Sequence, residues 1–283
     1  MSLQIIECPR DAMQGFHHAI STDTKIKYIN QLLKVGFNVL DCGSFVSAKA
    51  VPQLVDTKQV LQNIDTIENL TQLLVIVANE RGAEEAVSFN NVSFIGFPFS
   101  ISEVFQKRNT NQGMNDALLR LANLNKIAME ADKSMVVYLS MGFGNPYGEH
   151  YSVELALEWC KKIADLGIQT ISLSDTVGVA KENDIKSLFL KCNSEIKGVE
   201  FGAHFHTQYN SSLRPIEVAY AAGCRRFDAA FKGFGGCPFA TDKLLGNLPT
   251  EILVDYMDSI YETSFIQMEE FNKAKELAGE VFI

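Results

Sequence analysis

Short apolar runs alternate with longer amphipathic segments along almost the whole chain. The runs are rich in Ile, Val, Leu and Phe and are only four to eight residues long, which predicts buried strands. They fall at 3–7, 37–41, 72–77, 92–96, 135–140, 169–174, 199–206 and 226–230. Segments of helical period separate them, at about 21–35, 51–64, 83–88, 114–131, 152–166, 182–195 and 212–222. Ser21, Thr22 and Asp23 offer caps at the start of the first of these, and Gly36, Gly167 and Gly223 stand where helices should stop. Two further helices are predicted at about 250–262 and 266–278.

About eight βα units follow one another with no linker, low-complexity tract or break in composition. Repeated βα units require parallel strands joined by right-handed crossovers. Both a closed barrel and an open doubly wound sheet satisfy that. Eight units in 283 residues favour a TIM (β/α)8 barrel, a single α/β domain spanning 1–283 with C-terminal helices. The first βα loop lacks a Gly-rich phosphate cradle, which weakens the open dinucleotide-binding alternative.

Charge narrows the partners. The net charge is −9, the wrong sign for a nucleic-acid binder or for an anionic membrane surface. No apolar run is long enough to span a bilayer, and no signal peptide opens the chain, so a cytoplasmic location is expected. The six cysteines form no CxxC pair and are expected to be reduced.

In a barrel, chemistry gathers where strands end and βα loops begin. Polar residues expected there are Arg10, Asp11, Asp41, Ser44, Asn79, Tyr138, Ser140, Ser172, Asp175, Thr176, His204, His206 and Lys232, with the glycine-rich loop that carries Cys237. His204 and His206 are two apart on a strand, so both imidazoles face one space. Two such histidines with a carboxylate suit a divalent metal that keeps open positions, and Asp11 is the candidate carboxylate. A pair of hydrogen-bonded histidines at a strand end is the competing explanation. Arg10 beside Asp11 could stabilise a developing enolate oxygen, or merely form a surface ion pair. Cys237, in Gly233-Phe234-Gly235-Gly236-Cys237, could serve as a proton carrier on a closing lid, or be incidental to a turn. Asp41 and Asp175 each end an apolar run, where capping the next helix is as natural as catalysis.

These residues, taken in order, resemble the 3-hydroxy-3-methylglutaryl-CoA lyase family. Glu7-Cys8-Pro9-Arg10-Asp11-Ala12-Met13-Gln14 is similar to the family's opening signature. The stretches 44–53 and 102–109, Ser172 to Gly178, His204-Phe205-His206, Gly235 to Ala240 and Gly246-Asn247 resemble its later motifs. The lid cysteine distinguishes this lyase branch from the related isopropylmalate and homocitrate synthases. The resemblance implies Mg²⁺ or Mn²⁺ held by Asp11, His204, His206 and Asn247. It implies catalytic roles for Arg10, Asp41, Asp175, His204 and Cys237, and substrate contacts from Gln14, Ser44, Tyr138, Ser172 and Thr176. It further implies cleavage of an acyl-CoA substrate, 3-hydroxy-3-methylglutaryl-CoA, to acetyl-CoA and acetoacetate, in leucine catabolism, by a homodimer.

The chain departs from the family pattern at several places. Asp41 stands where the family has Glu, Val136 where some members have Arg, and Phe16-His17 where a Glu-Lys pair is common. Thr207-Gln208-Tyr209-Asn210 replaces the usual Asp-Thr-Tyr-Gly, and Cys237 to Asn247 is one residue longer than the pattern. These changes crowd around the substrate rather than the metal. Two alternatives follow: a related aldol or Claisen enzyme acting on another 3-hydroxyacyl-CoA or a 2-oxo acid, and a barrel that binds acyl-CoA without catalysis.

Overall fold

The structure, a computed structural model, describes residues 2–66, 70–236, 245–263 and 265–282. Eight parallel strands close into a barrel: β1 (Gln4–Glu7), β2 (Val39–Ser44), β3 (Gln72–Ile76), β4 (Val92–Ser100), β5 (Ser134–Ser140), β6 (Thr170–Asp175), β7 (Glu200–Thr207) and β8 (Arg226–Ala229). Each strand pairs with its successor, and β8 pairs with β1, so the expected TIM barrel is the architecture found.

Both faces of the strands are buried, which is why they read as nearly continuous apolar runs. Ile6, Val39, Leu74, Ile76, Val136 and Tyr138 pack inside the barrel. Their neighbours Ile5, Leu40, Val75, Val137 and Phe227 belong to the larger cluster shared with the surrounding helices. Those helices are α1 (Pro9–Gln14), α2 (Thr22–Leu33), α3 (Thr57–Asn63), α4 (Glu80–Val87), α5 (Glu103–Thr110), α6 (Met114–Glu130), α7 (Val153–Ala164), α8 (Glu182–Glu195), α9 (Leu213–Ala221), α10 (Thr250–Ser259) and α11 (Met268–Val281). Side chains of Ser21, Asn79, Ser102 and Ser152 cap α2, α4, α5 and α7 by accepting from backbone N–H groups. Among the described residues no helix is long and apolar enough to cross a membrane.

Three local expectations change. Arg10 and Asp11 lie on the short helix α1, which Pro9 opens in its first turn, and not on the end of β1. The segment expected as one helix from Val51 to Ile64 splits into a 3₁₀ turn, Pro52–Leu54, and α3. Finally, β4 does not stop at Gly96 but runs on to Ser100. Gly96 is a close-approach residue: a Cβ there would come within 2.5 Å of Ile76 Cδ1 and 3.0 Å of Tyr138 Cε2.

One buried carboxyl ties the barrel's seam. Glu7 Oε1 accepts from Phe231 N at 3.0 Å, and Oε2 accepts from Thr250 Oγ1 at 2.5 Å. It thus links β1 to both stems of the chain between β8 and α10. Burial, only partly offset by those hydrogen bonds, pushes Glu7 up to about 8. A carboxyl raised in the fold contributes stability that is complete below the ordinary glutamate range and lost as pH rises through about 8. Glu7→Gln mimics the protonated form. Its melting temperature relative to wild type is expected to climb as the pH is raised towards 8. Parallel melting curves across that range would show that Glu7 is ionised in the fold.

Candidate active site

Arg10, on α1, is the hub of the barrel's mouth. Its Nε donates to Asp41 Oδ1 and Oδ2 at 3.1 and 3.0 Å, and its Nη2 to Asp41 Oδ2 at 2.5 Å. Nη1 donates to Asp11 Oδ1 and to Gln14 Oε1, both at 2.8 Å. A guanidinium has five N–H bonds. One hydrogen of Nη2 therefore stays uncommitted among the described residues, and Arg10 borders the cleft. Asp41 is fully buried beneath it. Burial pushes Asp41 up to about 6, and the guanidinium keeps it ionised at neutral pH. Asp41 therefore aims Arg10.

Asp11 faces the two histidines. One ligand atom from each of Asp11, His204 and His206 lies within 4.8 Å of the others. Burial resists ionisation of Asp11, yet Arg10 and the two imidazoles outweigh it and hold it near 2. His206 Nδ1 sits 3.0 Å from the Thr176 carbonyl oxygen, which can only accept. That nitrogen must carry the proton, so Nε2 presents a lone pair. Nε2 is buried, has no hydrogen-bond partner among the described residues, and stands 3.9 Å from Asp11 Oδ2. Burial and the facing His204 hold His206 near 4, so its ring is neutral. A buried orphan lone pair beside a carboxylate and a second imidazole is a donor set that fits a divalent cation.

Asn247 reaches this set through a ninth strand, β9 (Gly246–Asn247), which pairs antiparallel to the end of β7 with His206 opposite Asn247. Asn247 Nδ2 donates to Asp11 Oδ2 at 2.8 Å and to the Phe234 carbonyl at 2.9 Å. Both donor hydrogens are thereby used, and the amide oxygen is the atom it could offer a cation. Gly235 has φ +91°, and a Cβ there would lie 2.7 Å from both Asn247 Nδ2 and the Asp11 carbonyl oxygen. Only glycine lets the loop pass so close. Cys237 lies outside the described residues.

The cleft above these groups encloses about 330 Å³. Gln14, Tyr138 and Thr176 line it, with Ser140 and Ser174. Val46, Ala50, Val51, Pro98 and Phe105 add an apolar wall. Three expected residues are placed elsewhere. Ser44 borders a neighbouring hollow with Phe45 and Arg81. Ser172 is fully buried and donates to Asp228 at 2.8 Å. Asp175 accepts from Val179 N and Ala180 N at 3.0 and 2.9 Å, capping a turn outside the cleft lining. Asp228, not anticipated from the sequence, contacts His204 Nδ1 at 3.1 Å. Its signal was there: two charged residues, Arg226 and Asp228, alternate on one face of an otherwise apolar strand.

Residues 3–277 match the HMGL-like family model. The chain belongs to the HMGL-like family. It is 33% identical over 261 residues to the mitochondrial hydroxymethylglutaryl-CoA lyase of Macaca fascicularis, covering 91% of this chain and 79% of that one. The HMG-CoA lyase structure from Brucella melitensis superposes with a TM-score of 0.91 at 26% identity, covering 99% of both chains. An HMG-CoA lyase from Acinetobacter baumannii, in complex with coenzyme A and 3-methylmalate, gives a TM-score of 0.90 at 29% identity. That match covers 98% of this chain and 92% of the other. This HMGL-like protein thus shares with those structures the whole barrel and not a fragment of it.

In this family member the Arg10–Asp41 pair is buried, so removing Asp41 leaves the guanidinium's Nε–H and Nη2–H without acceptors, with Asp11 and Gln14 still on Nη1. Asp41→Ala is expected to lower folding stability by about 3–5 kcal/mol in urea denaturation. A loss below about 1 kcal/mol would mean that the pair is solvated in solution.

Proposed function

We propose that this HMGL-like protein cleaves 3-hydroxy-3-methylglutaryl-CoA to acetyl-CoA and acetoacetate with a divalent cation, Mg²⁺ or Mn²⁺. The observation that carries the proposal is the convergence of Asp11, His204 and His206 within 4.8 Å at the barrel mouth, beside Arg10. Asp11, His204 and His206 would hold the cation, with the Asn247 amide oxygen as a further ligand. When bound, the cation would act as a Lewis acid on the substrate's 3-hydroxyl and lower its pKa.

The chain's own residues do the rest. The uncommitted N–H of Arg10 is available to the thioester oxygen, where negative charge grows as the C2–C3 bond breaks. Asp41, Asp11 and Gln14 keep that N–H aimed, because together they occupy the others. The apolar wall of Val46, Val51, Pro98 and Phe105 excludes water from the acyl group. His204 Nδ1 faces Asp228, and its other ring nitrogen would be the ligand. Proton traffic then includes Cys237. A base takes the hydroxyl proton as the bond breaks, and the Cys237 thiol gives a proton to the enolate carbon. Coenzyme A recognition is supported by the complex of the Acinetobacter relative. A homodimer and a place in leucine catabolism rest on the family resemblance, and a cytoplasmic location on the sequence alone.

Acetyl-CoA release from 3-hydroxy-3-methylglutaryl-CoA, followed with added Mn²⁺, tests the proposal. EDTA is expected to abolish turnover and Mn²⁺ or Mg²⁺ to restore it, with His204→Ala inactive under all conditions. Full activity in His204→Ala would remove the metal site. Cys237→Ser is expected to keep Mn²⁺ affinity and to slow turnover by roughly 10²–10⁴-fold. An unchanged rate would make the thiol incidental.

A further inference from the structure

The two histidines hold their tautomers by different means. His206 leans on a backbone carbonyl, which no substitution can remove. His204 leans on a side chain, Asp228, one strand away on β8. The register of the barrel sets this contact, because His204 and Asp228 are paired partners across β7 and β8. Both side chains point inward, and Asp228 is only 2% exposed.

Asp228 Oδ2 meets His204 Nδ1 at 3.1 Å and accepts from Ser172 Oγ at 2.8 Å. Tyr138 stands against the same imidazole, ring centroids 5.3 Å apart at 76°, and limits its tilt. Asp228 Oδ1 has no partner among the described residues. A buried carboxylate with one oxygen unpaired is costly unless a neighbour makes use of its charge. The neighbour placed to do so is the imidazole of His204.

We infer that Asp228 is the positioning carboxylate of His204: braced by Ser172, it fixes the Nδ1–H tautomer and so turns the Nε2 lone pair towards Asp11 and His206. The inference rests on the proposed cation site for its purpose, though not for the tautomer itself. A carboxylate behind a ligating imidazole fixes its orientation and strengthens it as a donor. Asp228 touches no substrate and acts only through His204. Ser172 belongs with it, beneath the site and outside the cleft.

Two readouts test this. In metal-free wild-type protein labelled with ¹⁵N-histidine, NMR is expected to show His204 protonated at Nδ1. In Asp228→Asn, an Nε2–H population is expected to appear. Mn²⁺ alone, titrated by the EPR signal of the free ion, is expected to bind Asp228→Asn about 10–100-fold more weakly than wild type. Ser172→Ala is expected to shift Mn²⁺ affinity a few-fold in the same direction. An Nε2–H tautomer in wild type, or unaltered tautomer and Mn²⁺ affinity in Asp228→Asn, would overturn the inference. Should Asp228→Asn fail to fold, the wild-type tautomer and the Ser172→Ala titration decide it. Wild-type protein with the Nδ1–H tautomer but no Mn²⁺ binding sensitive to Asp11→Ala would sink the cation site instead, leaving the tautomer assignment standing.

Discussion

Along each strand of a closed parallel barrel every second side chain points inward, and this parity governs where charge stands in the molecule. On β7 the inward positions are Glu200, Gly202, His204 and His206; on β8 they include Arg226 and Asp228. The result is a column of polar groups in an otherwise apolar barrel. At its foot Arg226 Nη1 donates to Gln4 Oε1 at 3.1 Å, with Glu200 Oε2 at 3.6 Å. In the middle Asp228 holds His204. At the mouth His206 faces Asp11. A one-residue slip of β7 would send both imidazoles into the helical layer and empty the site.

Burying so much charge is costly, and the structure offsets it pair by pair. Arg10 takes two carboxylates and an amide at once, so neither Asp41 nor Asp11 is left alone in a dry site. The arrangement is also asymmetric. Among the described residues Arg10 ends with one N–H to spare, His206 with one bare lone pair, and Asp228 with one bare oxygen. Unsatisfied buried groups are rare in folded proteins, and each calls for a physical explanation. Here the first two border the same cleft, whereas Asp228 lies behind it.

The departures from the family pattern can now be located. Asp41 is one methylene shorter than the usual Glu, yet it reaches Arg10 through both oxygens, because α1 brings the guanidinium to it. Thr207 is buried, and its hydroxyl meets Ser212 Oγ at 3.0 Å, so it serves the turn after β7 and not the cation ligands. The extra residue before Asn247 does not displace it, since antiparallel pairing with β7 fixes Asn247 opposite His206. Val136 packs with Ile6, Val39 and Tyr138 inside the barrel, a fully apolar replacement.

The sequence by itself determined a run of parallel βα units, whose number favoured a barrel, because strands buried on both faces must be apolar throughout and helices between them must be amphipathic. It also determined that His204 and His206 share a face, since period-two geometry is local. Arg10, Asp11, Gln14 and Thr176 were legible as a group through their motifs, and the structure brings all four to one cleft. What only the tertiary structure decided are the contacts between strands far apart in the chain. Asp175 reads in sequence as either a helix cap or a catalytic acid, and the fold shows its carboxylate accepting from Val179 N and Ala180 N in the turn that follows it. Asp228 shows in the sequence only as a charge on an apolar strand, and register is what sets it behind His204. Neither outcome could be read locally, because the side a carboxylate faces and the partner it meets depend on closure of the sheet, which no short stretch of chain encodes.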